Sequence, residues 1–355
     1  MIVEGDPLKD IEVPVGDRAG ETLRRASPMR TLDDAPIADV LDPAAGVPVI
    51  DLGGADDAAI EAIGRACAEW GFFQVVGHGV DAALIAAAMA ETRAFFALPK
   101  DEKRALLRSR DNPWGYYDRE LTKNARDKKE IFDIGPEPTS ADPFAGRTPW
   151  PDSPARFEPA LRAYFHACAE VAGRLMEKVS QSLGAPEGAM QQLFEPAHTS
   201  FLRLNFYPVD DPLGAEAAAA ADLGIHHHTD AGALTVLHQD RVGGLQVYRD
   251  GAWYLVAPLD EAFVINIGDM VQVWSNDLYR APIHRVLAME AADRYSLPFF
   301  YNPAYAATVA PLEAALRRTG APHYAGIPWG DYRRRRADGD FADYGAEVQI
   351  NDYRL

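Results

Sequence analysis

Two cysteines, Cys67 and Cys168, are all that the 355 residues contain. Both fall inside helical patterns and neither belongs to a C-x-x-C pair, which excludes a disulfide framework, a thiol redox motif and a cysteine zinc site. A reducing cytoplasm is the expected location. Long apolar runs are missing too, and the N-terminal MIVEGDPLKDIEVPVGDRAG has no basic segment followed by an apolar one, so neither a membrane span nor a secretory leader is expected. No G-x-G-x-x-G follows a strand and opens a helix, which removes a Rossmann dehydrogenase. Positive charge is scarce. Lys and Arg number 35 against 53 Asp and Glu, a net charge of -18 that repels phosphate backbones and anionic lipid. Nucleic acid and membrane are therefore not expected as partners. The one basic run, Arg333 to Arg336, is flanked by Asp331, Asp338 and Asp340 and reads as a solvated or salt-bridged helix face.

What is present is a globular composition, 48% hydrophobic and 10% aromatic, enough for a sizeable core. Residues 1–46 are polar with weak periodicity and form an N-terminal extension. VPVIDLGG opens an α/β region over 47–155: a strand, a helix with apolar Ile60, Ile63, Cys67 and Trp70, the strand FFQVVGHGV, and a second helix ended by Pro99. A long helix then starts after Ser153 or at Pro159. It carries Leu161, Phe165, Cys168, Val171, Leu175, Val179 and Leu183 on one stripe and stops at Gly184 and Pro186.

After residue 198 the apolar period changes from 3.6 to 2. Seven or eight short runs, among them SFLRLNFYP, GALTVL, AFVINIGDMVQVW and RYSLPFFYNP, predict an antiparallel barrel or sandwich. The helix and these strands make up a unit over 156–310, and 311–355 is a C-terminal helical segment placed to close the barrel mouth. The insert GAEAAAAADLG reads as a surface turn or loop. No internal repeat is visible.

The stretch GIHHHTDAGALTVL raises the question of which histidines hold a metal. On a strand, residues i and i+2 share a face, so His228 and Asp230 can converge on one ion while Thr229 points away. His226 shares the face of His228 and competes as a ligand, or else supports the ligands or lines the pocket; His227 faces the other side. A third ligand must come from a distant strand, and APIHRV supplies His284. Two imidazoles and one carboxylate on one face of an octahedron leave open positions, the arrangement of non-haem Fe(II) oxygenases. His78, His166, His198, His238 and His323 have no ligand partner at short spacing and read as structural. Downstream, Arg294 and Ser296 share a strand face and make a carboxylate receptor of guanidinium and hydroxyl. In LNFYP, Asn205 and Tyr207 offer an amide and a phenol to the same anion. Tyr116, Tyr117, Phe300 and Tyr301 are candidate pocket linings.

These residues, within the ordered series VPVIDL, ACAEWGFFQVVGHGV, GYYDRE, NFYP, HTDAGALTVLHQD, GGLQV, INIGDMVQVWSND, HRV and RYSLPFFYNP, resemble the 2-oxoglutarate/Fe(II)-dependent dioxygenases of the isopenicillin N synthase-like superfamily. That family includes plant anthocyanidin synthase, flavonol synthase and gibberellin oxidases, and the resemblance spans about residues 47 to 310. It implies a mainly β fold with flanking helices around a double-stranded β-helix, or jelly roll. It also implies Fe(II) on His228, Asp230 and His284, and 2-oxoglutarate on Arg294 and Ser296, with Tyr207 and Asn205 nearby. The expected cofactors are Fe(II), 2-oxoglutarate as cosubstrate and, optionally, ascorbate. The expected partners are O2 and a small-molecule substrate; oligomeric state is not legible. The activity implied is oxidative decarboxylation of 2-oxoglutarate to succinate and CO2, coupled to hydroxylation or desaturation. VDDPLGAEAAAAADLG replaces the usual cysteine- and proline-rich tail after NxYP, and GHGV stands where NHGV is common, so a flavonoid or hormone substrate does not follow. Two alternatives differ in class: an Fe(II) oxidase of the same superfamily that needs no 2-oxoglutarate, and a non-catalytic metal-binding or sensor protein.

Overall fold

The change of period near residue 198 marks the boundary between a helical layer and a β core. The computed structural model describes residues 32, 35–38, 46–109, 111–122, 125–138, 146–214, 223–341 and 348–355, with side chains for all of these except 337–341. The chain begins its regular structure with β1 (Val49–Asp51) and α1 (Asp56–Glu69), whose Ala59, Ile63, Ala66 and Cys67 are buried along one stripe. β2 (Phe72–Val76), α2 (Ala82–Phe96) and α3 (Lys100–Arg104) follow. Asp81 caps α2 by accepting from the Ala83 N–H at 2.8 Å. Four short strands come next: β3 (Gly115–Tyr117), β4 (Leu121–Thr122), β5 (Ala125–Arg126) and β6 (Glu130–Ile134). The long helix is α4 (Phe157–Ser182). Pro159 falls in its first turn, where a backbone N–H has no intrahelical partner to lose.

Beyond it run β7 (Phe201–Tyr207), β8 (Leu223–His228), β9 (Leu234–Gln239), β10 (Leu245–Arg249), β11 (Ala252–Leu255) and β12 (Phe263–Ile267). A short α5 (Asp269–Trp274) separates these from β13 (His284–Leu287) and β14 (Arg294–Tyr301). The chain closes with β15 (Thr308–Val309), α6 (Glu313–Thr319), β16 (Ile327–Pro328) and α7 (Trp329–Phe341). Of the alanine-rich insert, residues 215–222 lie outside the described residues; Leu223 and Gly224 already belong to β8.

Two sheets carry the core. The larger has the order β1-β2-β12-β9-β14-β7-β6-β3 and the smaller β11-β10-β13-β8. Their inner faces meet through Phe72, Leu237 and Val264 on one side and Leu245, Val247 and Val286 on the other, which gives the expected jelly roll. Sequence upstream of the jelly roll extends the larger sheet at both edges: β1 and β2 join through β12, and β3 and β6 through β7. The outer face of that sheet is covered by α4, whose apolar stripe buries Leu161, Phe165, Cys168, Val171, Leu175 and Val179, with α1 and α2 packed against it. Phe165 meets Phe299 of β14 edge to face at 5.0 Å between ring centroids. Each of the buried Leu, Val and Phe side chains contributes about 1.5–3 kcal/mol, so α4 backs this face of the sheet and leaves the other to build a site. Part of the N-terminal extension is also anchored, since the Trp253 indole donates to the Leu32 carbonyl at 2.8 Å and Leu32 is buried. Residues 1–31 lie outside the described residues. No helix among the described residues is long and apolar enough to cross a membrane.

Candidate active site

A cavity of about 280 Å³ opens between the two sheets at one end of the jelly roll. On the smaller sheet, β8 and β13 run antiparallel with His228 and His284 as register partners. Asp230 stands close to both: its Oδ1 is 3.6 Å from His228 Nε2 and 3.6 Å from His284 Nε2. The three side chains are the group of His, Cys, Asp or Glu, among the described residues, whose donor atoms lie within 4.8 Å of one another. His228 and Asp230 do not meet as i and i+2 on one strand face, the arrangement that their spacing predicts. β8 ends at His228, so Asp230 reaches the pair from the turn that crosses to β9 in the other sheet, not from the same pleat.

That turn is fastened from below. The N–H groups of Gly268, Asp269 and Met270 donate to the carbonyls of Ala233, Asp230 and Gly232 at 2.9, 2.8 and 3.0 Å. The approach is so close that a Cβ on Gly268 would lie 2.2 Å from the Gly232 oxygen and 2.8 Å from that of Asp230, so glycine is required there for contact distance. The signal was present in INIGDM, but its role in holding Asp230 is visible only in three dimensions.

Each donor atom is oriented by a partner on its far side. His228 Nδ1 donates to the His226 carbonyl at 2.8 Å and His284 Nδ1 to the Pro282 carbonyl at 3.2 Å, which turns both Nε2 lone pairs toward Asp230. Asp230 Oδ2 accepts from Thr235 Oγ1 at 2.5 Å and Asn266 Nδ2 at 2.8 Å, leaving Oδ1 for the histidines. Burial, with the neighbouring His228 imidazole, pushes His284 down to about 4, so it is neutral at pH 7 and able to ligate. Burial alone would raise the Asp230 carboxyl, but His284, His228 and the Asn266 amide outweigh it and hold it well below the usual carboxylate range. Two imidazoles and an ionised carboxylate fit a divalent first-row metal such as Fe(II).

The opposite wall of the cavity is one face of the β7–β14 ladder. Arg294 pairs with Tyr207, Ser296 with Asn205 and Phe300 with Phe201; the guanidinium thus sits at one end and an aromatic pair about 20 Å along at the other. Arg294 is 1% exposed, yet among the described residues its Nε and Nη1 have no hydrogen-bond partner; Nη2 donates to Gln239 Oε1 at 3.0 Å. The guanidinium carbon lies 4.8 Å from the Tyr207 ring centroid. Asn205 Nδ2 donates to Ser296 Oγ at 3.3 Å, and its Oδ1 is likewise without a partner among the described residues. Buried guanidinium donors rarely go unsatisfied, and open donors on a buried cation suit an anion such as a carboxylate. Gln239, which steadies Arg294 from β9, is a site residue that the sequence reading passed over within HQD.

Other sequence candidates divide. Phe300 lines the cavity. Tyr116 is instead fully buried against Glu130, Tyr117 packs under Arg108, and Tyr301 stacks on Phe194 at 4.3 Å. His226 is held by Asp127 at 3.0 Å. The arginine run is not simply a solvated face. Arg334 pairs with exposed Asp331, but Arg333 and Arg336 line the cavity with Trp329 of the same helix, and Arg336 Nη2 donates to the Thr229 carbonyl at 3.3 Å. A second part of the same cavity, the outer chamber, is bounded by Arg108, Glu120, Lys129, Asp133 and Arg203 with Arg333 and Arg336, and carries a charged wall that periodicity did not reveal. Arg203 donates to Asp133 at 2.7 Å and to Glu120 at 2.9 Å, and Lys129 to Glu120 at 2.6 Å.

Comparison with known proteins agrees with this geometry. Residues 198–303 match the 2OG-Fe(II) oxygenase superfamily, and residues 47–153 match the family described as non-haem dioxygenase in morphine synthesis N-terminal. Jasmonate-induced oxygenase 2 of Arabidopsis thaliana is 34% identical over 314 residues, covering 85% of this chain and 81% of the relative. The crystal structure of JOX2 in complex with 2OG, Fe and JA superposes with a TM-score of 0.75 at 31% identity, covering 94% of this chain and 98% of that one. A rice dioxygenase for auxin oxidation gives 0.68 at 29% identity, covering 87% and 100%. With the facing histidines, the buried carboxylate and the jelly roll in place, the chain belongs to the 2OG-Fe(II) oxygenase superfamily and is an oxidoreductase, a 2-oxoglutarate-dependent dioxygenase.

Proposed function

We propose that His228 Nε2, Asp230 Oδ1 and His284 Nε2 hold Fe(II), and that Arg294 and Ser296, with Tyr207 and Asn205 beside them, receive the distal carboxylate of 2-oxoglutarate. The observation that carries this reading is the pair of unsatisfied guanidinium donors on Arg294, buried in the same cavity as the triad. When bound, Fe(II) and 2-oxoglutarate supply the oxidation, in which the keto acid loses CO2 to become succinate and one oxygen atom goes to substrate or leaves as water in a desaturation. The chain's part is to orient and to exclude water. Arg294 fixes one end of the keto acid, so its other end meets the triad already aligned. Leu237, Leu245 and Val286 keep that end of the cavity apolar.

The outer chamber supports a substrate class. Five cations line it, Arg108, Lys129, Arg203, Arg333 and Arg336, against the carboxylates of Glu120 and Asp133. Arg108, Lys129 and Arg203 are held in ion pairs with Glu120, Asp127 and Asp133, Arg333 and Arg336 add guanidinium groups that an anion could meet, and Trp114, Phe201, Phe300 and Trp329 offer flat apolar contact. The substrate read from this is a small molecule with an apolar body and one anionic group. The JOX2 structure holds JA, and the rice relative is described as acting in auxin oxidation; both serve as starting points for a screen. The two buried, unpaired cysteines agree with a cytoplasmic location.

The test is succinate release and O2 uptake with Fe(II), 2-oxoglutarate and a panel of arylalkanoic acids set beside their primary amides. Release stimulated by acids and not by amides is the expected result. O2 uptake without succinate would assign the oxidase alternative, and iron uptake without O2 consumption the passive binder.

A further inference from the structure

We propose that Asp127 and His226 form a positioning unit for His228, and that the same carboxylate ties this unit to the charged wall of the outer chamber. The inference rests on His228 being a metal ligand. β8 is the edge strand of the smaller sheet, and its ladder to β13 is interrupted by register shifts between His284 and Val286 and between Val286 and Leu287. A strand bonded on one side only, through an irregular ladder, is weakly restrained where it delivers His228.

Asp127 supplies the missing restraint. It is 0% exposed, and four donors converge on it. Its Oδ1 accepts from both the backbone N–H and Nδ1 of His226, at 3.1 and 3.0 Å. Its Oδ2 accepts from Thr122 Oγ1 at 2.8 Å and Lys129 Nζ at 3.1 Å. Nearby, the Lys128 N–H donates to the Leu223 carbonyl at 3.0 Å, so the segment entering β6 runs beside the free edge of β8. The carbonyl of His226 is the acceptor for His228 Nδ1 at 2.8 Å. One carboxylate therefore fixes backbone and ring of His226, and His226 fixes the direction in which the His228 ring presents Nε2. Through Lys129, whose Nζ also lies 2.6 Å from Glu120 Oε2, the carboxylate reaches a cavity-lining pair.

The two arms are separable, because Asn at position 127 can keep an oxygen toward His226 while replacing the oxygen that Lys129 uses with a donor. The test is Co(II) binding to the full-length apoprotein, followed through the d–d absorption bands, which report ligand geometry independently of turnover. Asp127→Ala is expected to weaken Co(II) binding about 10- to 100-fold and to shift the bands. His226→Ala, which keeps the backbone donor and carbonyl, should fall at the lower end, about 10-fold. Asp127→Asn should stay close to wild type. Wild-type affinity and bands in Asp127→Ala overturn the proposal, as does a loss in Asp127→Asn equal to that in Asp127→Ala. Should Asp127→Ala fail to fold, unchanged binding by His226→Ala overturns it alone. His284→Ala is the control: if it binds Co(II) normally, the ligand assignment itself is wrong, whereas normal loss there with no effect at 127 and 226 removes only the positioning unit.

Discussion

His228 and His284 are a cross-strand pair: register partners on β8 and β13, with ring centroids 4.3 Å apart and 52° between their planes. Two ligand candidates remote in the chain are thus held by one ladder, and Asp230 from the adjoining turn completes the set. Replacing either imidazole removes one of the three donors that the described residues bring together. His284→Ala is expected to lower iron affinity by more than the roughly 10- to 100-fold typical of losing a group behind a ligand, and to bring succinate release to background. Metal analysis of the folded variant checks this; a full equivalent of tightly bound iron would contradict it.

Arg294→Lys keeps the charge and loses the fork. An ammonium lacks the planar, fixed donors of the guanidinium, of which Nε and Nη1 are unpaired among the described residues. At about 1.5–3 kcal/mol for a hydrogen bond to a charged group, 2-oxoglutarate binding should weaken about 10- to 150-fold. Calorimetric titration with 2-oxoglutarate reads the change, and an unaltered Kd would place the cosubstrate elsewhere.

Gly268→Ala tests the clamp under the Asp230 turn. The added methyl would stand 2.2 Å from the Gly232 oxygen, so the turn must shift. Overpacking of this kind costs about 1–3 kcal/mol, a fall in Tm of about 2–10 °C for a chain of this size. Iron affinity should fall with it, since the displaced atoms carry Asp230. A thermal melt together with metal analysis decides the matter: an unchanged melt would show that the contact relaxes at no cost.

The C-terminal clasp gives a pH signature away from the metal. Burial would raise Asp277, but hydrogen bonds from Arg354, Tyr324, His323 and Gln272 outweigh it and hold the carboxyl below its ordinary range. A carboxyl depressed in the folded state stabilises the fold above its unfolded pKa of about 3.9, and this contribution is lost as pH falls through that value toward the folded one. Asp277→Asn should therefore melt lower than wild type at pH 7, with the gap narrowing below about pH 4. Melting curves across that range test the sign; a gap that widens in acid would refute it.

Much of the site is legible along the chain because alternation in strands is a local property. Arg294 and Ser296 share a face in RYS, as do Asn205 and Tyr207 in LNFYP, and pairing of the two strands then sets all four side by side. Alternation fails at Asp230, where β8 has already ended, and the meeting with His228 is made instead by the clamp from Gly268 and Asp269. It is also silent on which of several aromatics face inward. Phe300 enters the cavity, while Tyr301, its neighbour on the opposite face, stacks on Phe194 in the core.

The amino-acid order by itself determined the α/β first half, the β second half and the histidine–carboxylate spacing, because period, turn residues and short ligand motifs depend on a few neighbours at a time. Which walls the cavity has, that Arg333 and Arg336 turn inward, that Asp127 reaches His226 and that Gln239 steadies Arg294 were decided by tertiary packing. Those contacts join segments far apart in the chain, and no local pattern states where the faces of two distant strands will meet.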